Sequence, residues 1–184
     1  MRKLVPVLAV ALAFGLAIPA SSSQAQAPKA GAEPDDRGLW VGDWTLAGTA
    51  KDTPTEPEYG LVWHLHGSRI LGGFFVQIDQ VWKGKGPEQH ALEILSYDPI
   101  NKIYNSSGFQ SDGTAWVATA TSDGRTYLEN GTTRTADGSA AKWRCTWTFS
   151  ADKMTVSATQ ESEQHGARWT SLAVKGTKSP GKTQ

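Results

Sequence analysis

Two histidines placed two residues apart, His64 and His66, are the first residues whose type and spacing suggest chemistry. On an extended strand such a pair points to one side. It could hold a metal ion if a neighbouring strand supplied a third ligand. Asp79, Glu93, His90 and His165 are the residues available for that role. The segment after the second histidine, Gly67-Ser68-Arg69-Ile70-Leu71, lacks the glutamate that a cupin-type site requires, so no metal is expected. A haem iron held by one histidine in an apolar cavity is a separate possibility, with His64, His66 or His165 as ligand. It ranks below carriage of an apolar ligand, and no cofactor is expected. If Trp63 and Leu65 face the core, both histidines point outward or lie at the rim. If the other face is interior, His64 becomes a polar contact in a pocket.

Glu93 is the second candidate. It alternates with Ala91, Leu95 and Tyr97, and a carboxyl on that face of a dry interior would have a raised pKa suited to acid–base work. The competing reading turns Leu92 and Ile94 inward and Glu93 to solvent, and it is preferred because unpaired carboxylates are seldom buried. Glu93 and His64 are therefore the catalytic candidates of a reading that ranks second. No nucleophile elbow, phosphate loop or zinc-protease helix accompanies them. The aromatic content is more suggestive: eight tryptophans fall in one small domain. Turned inward they would line a cavity for a flat or greasy ligand, or they would simply fill the interior. Phe74, Trp116, Trp143 and Trp147 are the expected walls of such a cavity. Tyr97, Tyr104 and His64 are its expected polar contacts.

The elements that must position these residues are strands. The segment from Tyr59 to Trp82 reads as two long strands joined by a corner at Gly67-Ser68, with Phe74, Val76, Ile78, Gln80 and Trp82 on one face of the second. Trp143, Cys145, Trp147 and Phe149 alternate with Lys142, Arg144, Thr146 and Thr148 in the clearest two-residue period of the chain. Ten strands are expected, over 43–50, 59–67, 70–82, 88–97, 102–110, 114–121, 125–130, 141–149, 153–163 and 168–175. Asp112-Gly113, Asp123-Gly124, Asp137-Gly138 and His165-Gly166 punctuate them with turn chemistry. Connections this short make successive strands antiparallel neighbours. A single turn of helix is expected near 35–41, ahead of the first strand. Closing ten such strands on themselves removes exposed edges, so the expected fold is all-β, an antiparallel up-and-down barrel of the lipocalin kind. A two-sheet sandwich is the alternative.

The first 27 residues have the form of a secretory signal: Arg2 and Lys3, an apolar run from Leu4 to Ile18, and a small-residue site at Ala25-Gln26-Ala27. Residues 28–37 read as a flexible lead-in, 38–176 as the barrel domain and 177–184 as a disordered tail. The expected location is periplasmic or secreted. Without Arg2 and Lys3 the chain keeps 16 Lys+Arg against 18 Asp+Glu, which argues against nucleic acid as a partner. No membrane insertion is expected, because the apolar run is short for a span of about 20 residues. The lone cysteine, Cys145, cannot form an internal disulfide and sits on an apolar face where a thiol packs as a small hydrophobe.

Three segments carry a family likeness: Ile70-Leu71-Gly72-Gly73-Phe74-Phe75-Val76-Gln77, then Leu95-Ser96-Tyr97-Asp98-Pro99 with Lys102 and Tyr104, then Ser111-Asp112-Gly113. With the opening Trp40-Val41-Gly42-Asp43-Trp44, they resemble the bacterial family called domain of unknown function 1579. The resemblance implies a small, often exported, lipocalin-like barrel and no particular activity. Phe74 stands where that family often has arginine, and Ser96 where glycine usually precedes Tyr-Asp, so any pocket polarity from that arginine is missing here. The preferred reading is an exported barrel that binds a small apolar or aromatic molecule. A cavity-based enzyme and a filled structural barrel are the alternatives.

Overall fold

Short connections and two-residue alternation give ten antiparallel strands that close into one barrel. The computed structural model describes residues 36–180. The expected signal peptide, most of the lead-in and the end of the tail lie outside the described residues. The strands are β1 (Gly42–Ala50), β2 (Tyr59–Ile70), β3 (Phe75–Lys83), β4 (Gln89–Asp98), β5 (Ile103–Gln110), β6 (Ala115–Ser122), β7 (Thr126–Arg134), β8 (Ala140–Phe149), β9 (Thr155–Gln164) and β10 (Ala167–Lys178). Each pairs with its chain neighbours, and β1 pairs with β10 to complete the circle. Closure satisfies both edges of every strand, so no ladder is left open.

The turns follow from their residues, with one adjustment. In Asp112-Gly113, Asp123-Gly124 and Asp137-Gly138 only the glycine takes positive φ, at 87°, 88° and 87°. The aspartates instead accept backbone N–H bonds two or three residues on, as Asp123 does from Arg125 and Thr126.

The corner expected at Gly67-Ser68 is not there. β2 runs straight through it, and the chain turns at Leu71–Gly73, where Leu71, Gly72 and Gly73 have φ of 50°, 72° and 88°. Gly67 is required for a different reason: a β-carbon there would collide with the Trp40 carbonyl, where the lead-in crosses the end of β2. Phe74 therefore belongs to the corner and not to β3.

The chain before β1 is also ordered further than the composition implies. Asp36–Leu39 forms a 3₁₀ helix in which Asp36, Arg37 and Leu39 are buried. Arg37 donates to the Phe74 carbonyl, tying this helix to the corner. Helix and corner lie at the same end of the barrel as the turns 99–102, 123–125 and 150–154. Trp40 follows the helix into the barrel and meets Trp147, Phe149 and Tyr127 edge to face, with centroids at 4.8, 5.3 and 5.7 Å. Such edge-to-face contacts satisfy the ring quadrupoles better than stacked faces. This end of the interior is filled, and Trp44, Leu46, Val76, Leu95, Tyr127 and Phe149 are almost fully buried there.

Candidate functional site

The other half of the barrel is open. A cavity of about 380 Å³ lies between the ends of the strands, walled by Trp63, Trp82, Trp116, Trp143, Trp147 and Trp169. Beneath it a smaller pocket of about 20 Å³ shares Trp63, Gln80, Glu93, Glu129 and Trp147 with it, and adds Trp40, Leu65, Ile78, Leu95 and Tyr127. That inner space is enough for one water-sized group.

Strand register explains why the upper half stays hollow. Trp116 on β6 pairs with Gly108 on β5, and Trp143 on β8 pairs with Gly131 on β7. Each indole lies across its paired glycine, in space that a β-carbon would otherwise occupy. The rings thus lie along the wall. The Trp143 Nε1 donates to Thr133 Oγ1 at 3.0 Å, which fixes that orientation. On β10 a bulge between Thr170 and Leu172 inserts Ser171, so that Trp169, Ser171 and Leu172 all reach the cavity. Ser171 joins Ser162 and Gln160 in a small polar cluster, with bonds of 2.7 and 3.0 Å.

The floor is carboxylic. Glu93 on β4 accepts from Ser106 Oγ at 2.6 Å and from Gln80 Nε2 at 2.7 Å. Glu129 on β7 accepts from Trp147 Nε1 at 3.4 Å. Two strands separate β4 from β7, and their inward residues near this level are small: Ser106 and Gly108 on β5, Ala118 and Ala120 on β6. The two carboxyls interact across the lumen. Burial pushes the Glu93 carboxyl above its ordinary range, and the bonds from Ser106 and Gln80 offset part of that rise. Burial and then the negative charge of Glu93 push Glu129 up to about 8. The same burial, with both carboxylates nearby, raises the thiol of Cys145 and the hydroxyl of Tyr127. The Tyr127 hydroxyl and the indole nitrogens of Trp40 and Trp63 are buried without partners and belong to residues lining the inner pocket.

Of the residues singled out in the sequence, Trp116, Trp143 and Trp147 line the cavity, and Glu93 lies on its floor. Glu93 was expected to face solvent. In fact Leu92 is the exposed neighbour, and Glu93 lies inside because partners from two other strands satisfy it. His64 is corrected in the opposite sense. It points outward, bonded through Nδ1 to Thr45 Oγ1 at 3.1 Å, and His66 beside it bonds Asp43 at 2.6 Å. Phe74 sits at the filled end, 37% exposed and away from the cavity. Tyr97 and Tyr104 pack against each other in a tilted arrangement with centroids at 4.9 Å, and Tyr104 continues to Tyr127 at 5.3 Å. Both belong to the filled half, outside the cavity lining. None of the four histidines lines either space. Among the described residues no group of three His, Cys, Asp or Glu is placed to hold a metal. Gln80, Ser106 and Glu129 were not singled out as site residues, although Gln80 keeps phase with Ile78 and Trp82, and Glu129 with Tyr127.

Fold and site together define a closed ten-stranded antiparallel barrel with a tryptophan-walled interior cavity. No family model matches the chain, and a search of curated proteins finds no match either. Among solved structures the chain is similar to Rv2717c from M. tuberculosis, with a TM-score of 0.60 and 14% identity. That match covers 77% of this chain and 94% of the other. At this identity the likeness speaks for the fold alone. No helix among the described residues is long and apolar enough to cross a membrane.

Proposed function

We propose that this protein is a small-ligand-binding barrel that receives a flat, largely apolar molecule in the cavity between Trp63, Trp82, Trp116 and Trp143. The observation that carries this reading is the cavity of about 380 Å³, kept open by glycines that seat two of its tryptophans. Packed interiors rarely hold voids of this size, whereas ligand sites of a few hundred Å³ with apolar walls and a few convergent polar groups are common. The binding reading also includes export. Residues 1–27 would direct the chain out of the cytoplasm and be removed, so that the protein recovered from a periplasmic extract begins at Pro28. Kinship with the exported lipocalin-like family named above belongs to the same proposal.

The test is a titration of the purified protein with indole, followed by isothermal calorimetry. Saturable one-site binding is expected, weakened about tenfold or more in Trp143→Ala, as loss of an aromatic wall predicts. The variant should still unfold cooperatively. Absence of saturable binding up to millimolar indole would overturn the reading.

A second reading is favoured by one observation, the carboxyl of Glu129 pushed up to about 8 beside Glu93. A buried acid that titrates near neutral pH can transfer a proton to or from a bound molecule. Turnover of any substrate that survives unchanged in both Glu93→Gln and Glu129→Gln would dismiss that role.

A further inference from the structure

The walls of the cavity specify shape, and its floor specifies charge. Glu93 and Glu129 are two acids with no basic partner in the inner pocket: none of its lining residues is Lys, Arg or His. In the wider cavity the one basic residue is Lys51, at the mouth beside Asp52. The titratable groups that interact with the pair are Tyr127 on β7 and Cys145 on β8, both acids, and Tyr104 on β5, a further acid, lies against Tyr127. Asp36, from the 3₁₀ helix, adds a further acid near Tyr127. A pair of buried carboxyls is normally matched by cations or metal, because an unpaired buried charge is costly. Here no described residue lining the inner pocket supplies that cation.

A second observation is independent of the carboxyls. The Tyr127 side chain is 1% exposed, its hydroxyl has no partner, and it lines the same inner pocket. That hydroxyl can accept a hydrogen bond, as can both carboxylates. The pocket's free space of about 20 Å³ suits one group the size of water, which is also the size of an ammonium. Around it stand Trp40, Trp63 and Trp147, whose π-faces attract cations. Above it the wide cavity takes the flat body of a molecule whose polar end reaches the floor.

We propose that Glu93 and Glu129 recognise a protonated amine, so that the ligand of this barrel is an organic ammonium carried on an aromatic or other flat apolar body. This rests on the binding reading above and deepens it. On binding, Glu129 releases to solvent the proton it holds near neutral pH. The ammonium donates to both carboxylates and to the Tyr127 hydroxyl, replacing the cation that the pocket lining lacks. Charge-assisted bonds of this kind are about twice as strong as neutral ones, and they strengthen in a water-poor site.

The experiment compares three probes that share one ring: tryptamine, neutral ethylindole and anionic indoleacetate, titrated calorimetrically against the full mature chain near neutral pH. Tryptamine is expected to bind at least about tenfold tighter than ethylindole, and indoleacetate weakest of the three. In the double variant Glu93→Gln/Glu129→Gln, tryptamine should fall to the level of ethylindole while ethylindole keeps its affinity. Retained ethylindole binding shows that the variant cavity is intact, and the single variant Glu129→Gln should give an intermediate loss. If ethylindole or indoleacetate binds as tightly as tryptamine, the amine assignment is overturned and the binding reading stands. A tryptamine preference that persists in the double variant overturns it equally. If none of the three binds, both readings fail together.

Discussion

The two halves of this barrel interior are made from the same strands and much the same residues, yet one is solid and the other hollow. In the filled half Trp40 reaches Tyr127, Trp147 and Phe149, and Trp44 reaches Phe149, always edge to face within 5.7 Å. In the open half Trp116 and Trp143 meet glycines and lie flat along the wall. Aromatic content alone therefore does not decide between core and cavity. For Trp116 and Trp143 what decides is the residue paired on the adjacent strand, where a glycine lets the ring leave the lumen and lie along the wall.

The largest effect should come from the filled half. Phe149 is 1% exposed and lies against both Trp40 and Trp44. Phe149→Ala should lose about 3–5 kcal/mol of stability, read from the midpoint of urea unfolding, because these rings cannot collapse into the void. Trp143→Ala, on a wall that already borders open space, should lose much less. Equal losses at the two sites would break the distinction between solid and hollow halves.

A smaller effect, with a definite sign, belongs to the floor where the halves meet. The Glu129 carboxyl has an ordinary value of 4.5 in the unfolded chain and about 8 in the folded protein. Between those values the folded protein holds the proton that the unfolded chain has lost. Stability therefore falls as pH rises through that window and levels off above about 8. The fall should be roughly a few kcal/mol at most, visible as a urea midpoint that drops between about pH 5 and pH 8. Glu129→Gln should flatten it. The turn aspartates Asp98, Asp123, Asp137 and Asp152 have the opposite sense, being lowered from 3.8 by bonds in their turns. Their contribution is present above 3.8 and is lost as pH falls through their lower folded values, outside the Glu129 window. A midpoint that rises between pH 5 and pH 8 would mean that the two carboxyls are not held together in the dry floor.

The strand framework was more legible in the sequence than the contents of either half. The alternation through Trp143, Cys145, Trp147 and Phe149 and the Asp-Gly turns placed strands, neighbours and closure with few errors. Local signals suffice there, since a strand's period and a turn's glycine are properties of short segments. The floor was hidden because it is not local. Glu93 could be read as inward only with Gln80 and Ser106, each 13 residues away, to satisfy it. Without them the preference for solvent was the sound physical choice and the wrong one. Gly67 misled for a related reason. A glycine between two apolar runs reads as a turn, whereas its cause is the crossing of Trp40 from another part of the chain. The one local hint at the floor was phase: Gln80 and Glu129 are polar residues on otherwise inward-facing positions.

The smallest effect tests the outer surface against both interior halves. His64 and His66 share a face of β2, as their spacing requires, but that face is the wet one. The His66–Asp43 pair is 59% and 66% exposed, and His64 bonds Thr45 in similar surroundings. Exposed pairs of this kind contribute about 1 kcal/mol or less. His64→Ala/His66→Ala should therefore move the urea midpoint slightly and leave the affinity for indole or tryptamine within about twofold. A tenfold loss of affinity would place a histidine at the ligand. Because side chains on a strand alternate strictly, that result would also turn Trp63 and Leu65 outward, and with them the wall and floor of the cavity.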